Sequence, residues 1–194
     1  NVVLDCRGFT VRGDNEAGDY GLILGDFDNF TMRSCVFTNF QTPVLVNGSA
    51  NNANFSYNMF MNSTNSTAGI NTAAASKTVF IVNATVSNFT IYNNTFKEFY
   101  ADMGGKGEYP TLNGSDGGNL TLINFSAEAQ NIIIAYNNFT NSKGGDGSQG
   151  SETVFCPSCD GGSGGAGGNV YGIVINEFSN VNISFNVFFI LSFN

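Results

Sequence analysis

A ten-residue pattern recurs five times in the sequence and constrains the fold more than any other feature. The pattern is x-N-φ-x-φ-x-x-N-x-F, where φ is usually apolar, and its copies span residues 28–37, 51–60, 87–96, 130–139 and 179–188. Apolar residues alternate in the first half of each copy, as at Phe89 and Ile91, and this period of two indicates a β-strand rather than a helix. Each copy therefore predicts a strand, a turn and a second short strand.

Short apolar segments precede the copies, which makes the full repeat longer. They lie at residues 22–24, 44–46, 79–82, 120–123 and 173–175. The first Asn residues of successive copies are 23, 36, 43 and 49 residues apart, which indicates a basal coil of about 23 residues with insertions of growing length. Such a coil cannot bury its own inward-facing side chains, so coils must stack with strands paired roughly 4.8 Å apart. The sequence thus predicts one all-β domain over residues 1–194, a solenoid of parallel sheets.

Two positions of the repeat predict columns of like side chains inside this solenoid. The second Asn column comprises Asn58, Asn94, Asn137 and Asn186, with Cys35 in the first copy. Asn tolerates left-handed backbone geometry, and stacked Asn amides can form a hydrogen-bonded ladder. The last column comprises Phe37, Phe60, Phe96, Phe139 and Phe188. We expect it to form an internal aromatic stack, and neither column needs a ligand.

Composition excludes several classes of function. The chain has 194 residues, no His, and a formal net charge of -8 with only seven Lys and Arg. A chain without His has no histidine-based catalysis and no histidine metal site. The shortage of cationic side chains argues against nucleic acids and anionic membranes as partners. No segment approaches the roughly 18 to 20 apolar residues that a membrane-spanning helix needs.

The 29 Asn residues point to the secretory pathway through the glycosylation motif Asn-x-Ser/Thr. Thirteen such motifs occur, whereas chance would give roughly 5. We predict a secreted, N-glycosylated protein; the alternative is that an Asn-rich repeat containing Ser and Thr generates the motif without use. The favoured acceptors are Asn54, Asn182, Asn138, Asn62, Asn65, Asn113, Asn47, Asn83, Asn119 and Asn124. Asn29 and Asn88 belong to the first Asn column, where we expect steric blockage.

The four Cys residues, Cys6, Cys35, Cys156 and Cys159, predict disulfides. A zinc site would need four Cys or His ligands, whereas the sequence offers one close pair and two scattered residues. For Cys156 and Cys159 the alternatives are a redox pair and a structural disulfide that pins an otherwise floppy loop. The structural disulfide is favoured, because no helix is predicted whose N-terminus could activate a thiol.

The segments LDCRGFTVRG (4–13), YGLIL (20–24) and NFTMRSC (29–35) resemble the opening coils of the pectate-lyase-like superfamily, especially its Asn-rich carbohydrate-binding and sugar-hydrolase repeats in secreted surface proteins. The resemblance implies a single-stranded right-handed parallel β-helix of about five to six coils, with inserted loops near residues 62–76, 101–118 and 144–168. In similar proteins paired Cys residues lie on adjacent coils, which implies a disulfide between Cys6 and Cys35. This architecture serves lyases, hydrolases, adhesins and fibres alike, so it implies no single function.

No catalytic residue is predicted. Glycoside hydrolysis needs paired carboxylates, and lyase chemistry in similar proteins needs a calcium site with an Arg base, whereas the predicted strands contain few acidic residues. The best candidate cluster is formed by Arg7, Arg12 and Arg33 with Asp5 and Asp14 nearby. A surface ion pair is the commoner explanation for such a cluster. We therefore predict that the protein is not an enzyme.

No cofactor is predicted either. Asp26 and Asp28 flank one turn, and Asp146 lies in a Gly-Asp loop at residues 144–148. Neither segment has the five or six spaced oxygen donors of a strong Ca²⁺ motif. Ca²⁺ is therefore only a weak candidate, and solvated turn acids are favoured.

The predicted function is structural. The chain begins in a strand and ends in the apolar segment 186–193, with no predicted cap over the strand edges. Either the sequence belongs to a longer β-helix, or other copies of the chain cover its ends. We favour the second explanation and expect copies to stack head to tail into an extracellular glycoprotein filament. The alternative is a surface carbohydrate-binding or adhesin module, and the third candidate is a degenerate polysaccharide lyase or hydrolase. Sugar binding is disfavoured because the candidate exposed aromatics do not fall in one column; these are Tyr92, Tyr100, Tyr109 and Tyr171.

Overall fold

A computed structural model of the chain describes residues 1–14, 16, 18–62, 72, 74–108, 113–150 and 162–190. Over these residues the protein is all-β, as predicted, with every strand pair parallel. The same segments contain no helix that is long and apolar enough to cross a membrane.

Seventeen strands form two sheets, and they are short except where two strand positions run together. Their bounds are β1 (Val2–Asp5), β2 (Thr10–Arg12), β3 (Tyr20–Leu24), β4 (Phe27–Asp28), β5 (Phe30–Arg33), β6 (Val36–Thr38), β7 (Thr42–Val46), β8 (Ala50–Asn51), β9 (Asn54–Ser56), β10 (Met59–Met61), β11 (Lys77–Val82), β12 (Val86–Tyr92), β13 (Thr95–Lys97), β14 (Leu120–Ala135), β15 (Asn138–Ser142), β16 (Val170–Ser184) and β17 (Val187–Ile190).

The chain visits three strand positions in turn and then returns to the first, where it pairs with its own previous visit. We call each such traverse a pass; passes 1 to 6 enter the first position at β1, β5, β9, β12, β14 and β16. The second position is the separate sheet β2-β6-β10-β13-β15-β17. The third position comprises β3, β7, β11 and the first halves of β14 and β16. All five apolar segments predicted upstream of the repeat are strands at this third position.

Phenylalanine rings fill the interior beside the second strand position. Phe37, Phe60, Phe96 and Phe139 are direct register partners in successive strands, and Phe188 continues the column. Neighbouring ring centroids lie 5.7, 5.0, 4.9 and 4.6 Å apart along this column, with the planes nearly parallel at its far end. The first four rings are buried, so the column lies in the core between the sheets.

A column of asparagine amides lies at the bend between the first and second strand positions. The Asn94 Oδ1 atom accepts hydrogen bonds from both the backbone N and the Nδ2 of Asn58, at 2.9 and 3.0 Å. Asn137 Oδ1 accepts the same two bonds from Asn94, and Asn186 Oδ1 accepts them from Asn137. Each Nδ2 also donates to a carbonyl of the preceding pass, as from Asn94 to Phe55 at 2.8 Å. The buried ladder therefore satisfies polar groups that the bend would otherwise leave unpaired in the core.

The left-handed geometry expected of this buried column lies elsewhere. Positive φ angles occur one residue earlier, at Ser34, Tyr57, Asn93, Tyr136 and Phe185. They also occur in the first Asn column, at Asn29, Asn52, Asn88, Asn131 and Asn180. In the first column the sequence preference for Asn matches the backbone conformation, whereas the buried column selects Asn for its amide hydrogen bonds.

The inserted segments pack against one another instead of forming separate loops. Backbone hydrogen bonds run from Gly118 N to Asp102 O, from Gly145 N to Gly118 O and from Gly168 N to Gly145 O, at 2.9, 2.9 and 2.7 Å. A Cβ atom at any of these three glycines would overlap a backbone carbonyl of the neighbouring segment. The glycines therefore allow the insertions of successive passes to approach closely and to continue the pairing of the strands.

We expect Asn137→Ala to lower the free energy of unfolding by about 2 to 4 kcal/mol, because it leaves the buried N–H groups of Asn94 and the Ile91 carbonyl without partners. The control is Asn131→Gly, which removes a side chain from the exposed first Asn column and keeps the left-handed bend. Urea denaturation would measure both. Equal losses for the two variants would contradict the role given to the buried ladder.

Gly145→Ala should destabilise the protein by roughly 1 to 3 kcal/mol, because the new methyl group overlaps the Asp102 carbonyl. Gly167→Ala is the matched control, since a Cβ at Gly167 would meet its nearest atom at 3.8 Å, an ordinary contact. Thermal unfolding of the two variants should separate them clearly. Similar melting temperatures would show that the glycine segments do not pack as described.

Candidate functional site

The charged cluster predicted in the first two passes is a surface ion pair. Arg33 Nε lies 3.0 Å from Asp5 Oδ2, and both side chains are substantially exposed. Asp5 Oδ1 accepts a hydrogen bond from the Arg7 backbone N–H, which is the main reason that the pKa of Asp5 lies below its usual value, with Arg33 contributing further. Arg12 lies in the other sheet, on β2, and Asp14 Oδ1 accepts from the Glu16 backbone. The cluster thus holds the chain of pass 1 to pass 2, and Arg12 and Asp14 lie outside the Asp5–Arg33 pair.

The weak Ca²⁺ candidates are engaged in hydrogen bonds and an ion pair. Asp26 Oδ1 accepts from Ser49 N and Asp28 Oδ1 accepts from Asn51 Nδ2, both at 2.8 Å. Asp146 pairs with Lys143 at 2.7 Å. Within the described part of the chain, no group of three or more His, Cys, Asp or Glu residues could hold a metal ion. Asp26 and Asp28 therefore connect successive passes, whereas Asp146 forms its ion pair within its own segment.

Cys6 and Cys35 form a disulfide between passes 1 and 2, with Cα atoms 4.7 Å apart. The bond lies where the first strand position ends in both passes, next to the start of the buried Asn ladder, since Cys35 N donates to Asn58 Oδ1. Cys156 and Cys159 lie outside the described residues.

Predicted glycan acceptors lie mainly on the sides of the molecule. Those exposed are Asn47, Asn83, Asn113, Asn119, Asn138 and Asn182. Asn54 and Asn124 are half-buried, and Asn65 lies outside the described residues. Asn62 is fully buried, and its Nδ2 donates to the Phe40 carbonyl at 3.1 Å. The folded protein therefore does not present the Asn62 nitrogen to solvent, which makes Asn62 the weakest of the predicted acceptors.

The first Asn column forms a second, exposed amide ladder. Asn52 Nδ2 donates to Asn29 Oδ1, Asn88 to Asn52, Asn131 to Asn88, and Asn180 to Asn131, at 3.0 to 3.3 Å. The nitrogen that would carry a glycan on Asn88 is thus bonded within the ladder. This arrangement agrees with the exclusion of Asn88 from the favoured acceptors.

An exposed aromatic stripe runs along the side of the molecule, across passes 3 to 6. We define it as Tyr57, Tyr92, Tyr136 and Phe185, whose neighbouring ring centroids are 6.0, 5.3 and 4.9 Å apart. Tyr57 is 58% exposed, Tyr136 48% and Phe185 72%. Of the four aromatic candidates considered from the sequence, the stripe contains only Tyr92, and its other three rings were not among them. Such a stripe is the strongest candidate for a binding surface that the described residues contain.

The sequence carried a signal for this stripe that was missed. The seventh residue of the ten-residue pattern is aromatic in three copies, at Tyr57, Tyr136 and Phe185. The copy between them has Asn93 at that position, but the preceding Tyr92 places its ring between Tyr57 and Tyr136. The direction of the Tyr92 side chain, which an alignment of the repeats does not show, makes the stripe continuous across pass 4.

No protein-family model, curated protein or solved structure matches the chain. The likeness to pectate-lyase-like proteins therefore rests on the sequence segments alone and remains a prediction.

Lys77 is a buried cation in β11, close enough to Asp102 for the two charges to interact. Burial lowers the pKa of Lys77 from its ordinary value of 10.5, and Asp102 only partly offsets this effect. The unfolded chain therefore binds the proton more tightly than the folded chain. The contribution of Lys77 to the free energy of unfolding therefore rises as pH increases from its lowered folded-state pKa toward its ordinary pKa.

We expect Lys77→Met to be more stable than the parent protein near neutral pH, by roughly 1 kcal/mol, because the substitution removes the desolvated charge. The difference should shrink as pH rises through the lowered pKa toward 10.5, because the folded parent loses its proton first and the unfolded chain follows only near and above 10.5. Urea denaturation of both proteins over this range measures the difference. Parallel pH curves would contradict the assignment.

Proposed function

We propose that the protein is a structural extracellular glycoprotein whose β-helix faces stack end to end into a surface filament. The proposed fold is the single-stranded right-handed parallel β-helix of the pectate-lyase-like type. Two observations support it. Each of passes 1 to 5 contributes one strand to each position, and the 23-residue spacing expected of the basal coil separates hydrogen-bonded partners such as Asn29 and Asn52. We propose no catalytic residue, because the acid and base that the best candidate cluster brings together, Asp5 and Arg33, are joined in an exposed ion pair.

The apolar face of pass 6 is the observation that carries the filament proposal. Ile183 shares a column with Ile134 and Ile91, which are fully buried, yet Ile183 is 50% exposed. Phe188 ends the phenylalanine column in the same way and is exposed, whereas Phe139 is buried. Pass 1 exposes Val2 in the same way, since its register partner Phe30 is buried, and it also exposes Phe9. In the proposed filament, pass 1 of one copy covers pass 6 of another and extends the columns.

A contact between two different faces of the same molecule does not close, so repetition of it builds a fibre. Parallel pairing across the junction would satisfy edge N–H and C=O groups as pairing between passes does. In the described part of the chain, the outer strand edges of passes 1 and 6 have no strand partner, and these edges and the exposed Ile and Phe side chains both favour such an addition. The junction between two copies would therefore be held by the same interactions that hold neighbouring passes together.

The proposed extracellular location is supported by two features. The disulfide between Cys6 and Cys35 is of the kind that persists in oxidising compartments. Most predicted glycan acceptors lie exposed on the sides of the molecule. Glycans there would keep a chain with only 11% charged residues soluble without covering the end faces.

Ile183→Lys should abolish filament formation, because it places a charge on the apolar end face that a second copy would bury. Ile133→Lys is the matched control. Ile133 is 43% exposed in the adjacent strand, and its column faces outward beside Asn182. Electron microscopy and sedimentation of the purified chains would compare the variants, and fibre diffraction of the parent should show a repeat of about 4.8 Å along the axis.

Filaments of the parent and of Ile133→Lys, with folded monomers of Ile183→Lys, are the expected result. A parent protein that remains monomeric, or equal assembly of both variants, would overturn the filament proposal.

A further inference from the structure

Asn93 lies inside the exposed aromatic stripe. It occupies the same left-handed bend as Tyr57 in pass 3 and Tyr136 in pass 5, with φ angles of 52°, 58° and 58°. Its backbone N donates to Ala135 O at 3.0 Å, and Tyr57 N donates to Tyr92 O at 3.2 Å, which fixes Asn93 between the two tyrosine positions. Passes are about 4.8 Å apart. A sugar ring attached to the Asn93 side chain is therefore close enough to contact Tyr57 and Tyr136.

Asn93 differs from the other asparagines at bends. Its side chain is exposed, and no side-chain hydrogen bond holds its carboxamide among the described residues. By contrast, the Asn88 Nδ2 donates to Asn52 and the Asn94 Nδ2 to Phe55 and Asn137. Asn93-Asn94-Thr95 is also a complete glycosylation motif. The nitrogen that accepts a glycan is therefore free at Asn93.

The aromatic stripe favours a sugar as its cover. Tyr57, Tyr136 and Phe185 expose much of their ring surfaces, and Tyr92 lies half-buried between the two tyrosines. A pyranose ring has one face of C–H groups that packs on aromatic rings, while its hydroxyl groups remain in water. A sugar ring can therefore cover this aromatic surface without an apolar protein segment.

We propose that Asn93 carries an N-glycan whose first sugars pack along the aromatic stripe, over Tyr57 and Tyr136. The site rests on the proposed glycoprotein function and adds an acceptor that sequence reasoning did not favour. A covalently attached sugar has a high effective concentration at the stripe, so it occupies the rings ahead of a free polysaccharide. The glycan would shield the stripe from solvent, and its contacts with the rings would orient it along the side of the molecule.

Site-resolved glycopeptide mass spectrometry on the chain secreted from a eukaryotic cell tests the attachment. We expect Asn93 to be occupied, and Thr95→Ala and Asn93→Gly each to abolish that occupancy. Thr85→Ala is the matched control, because it removes the motif of Asn83, an exposed acceptor at a different turn. Glycans at other acceptors with none at Asn93 would overturn this inference alone, whereas a chain without any glycan would overturn the glycoprotein proposal as well.

Hydroxyl-radical footprinting tests the packing. Oxidation of Tyr57 and Tyr136 should rise roughly threefold or more in Thr95→Ala relative to the glycosylated parent and to Thr85→Ala, as expected for loss of an aromatic contact of ordinary strength. Tyr20 and Tyr171 are similarly exposed on the third strand position and should not change. Unchanged oxidation of Tyr57 and Tyr136 would overturn the packing. So would protection of the glycosylated parent by an added soluble β-glucan, because it would assign the stripe to a free polysaccharide.

Discussion

The hydrogen bonds of the buried Asn ladder are the interaction on which the rest of the structure depends. At the bend between the first and second strand positions the backbone turns inside the core, where water cannot satisfy it. Asn94 supplies an acceptor for the preceding pass through Oδ1 and two donor bonds through Nδ2. Asp would lack the donors that the Nδ2 group supplies. The ladder keeps successive bends in register next to the phenylalanine column.

The repeat made the strands, the buried columns and the parallel stacking predictable, because these follow from a local period and from identical residues at equivalent positions. The glycine segments were not predictable in the same way. Gly118, Gly145 and Gly168 are equivalent in space through backbone bonds, but no constant spacing relates them in sequence. Glycine is required at these positions because the backbone of a neighbouring segment lies too close for a Cβ atom, as the Asp102 carbonyl does at Gly145.

The aromatic stripe shows a second limit of sequence columns. Tyr92 does not share the column of Tyr57 and Tyr136, yet its ring lies between theirs. Residues that differ by one position point in different directions in a regular strand, but at a left-handed bend two adjacent side chains can reach the same surface. Alignment of the repeats therefore finds stacked identical residues more readily than a surface assembled from neighbouring positions.

Asparagine divides the molecule's surfaces between the two proposed roles. In the two ladders its amide is bonded along the direction in which passes stack, as at Asn88 and Asn137, and cannot carry a sugar without breaking that pairing. Exposed acceptors such as Asn83 lie at turns on the sides of the molecule, as does Asn93 beside the aromatic stripe. Glycans at these positions extend across the stacking direction, away from Ile183 and Phe188 on the end face. Glycosylation and end-to-end assembly are therefore compatible, because they use surfaces that face different directions.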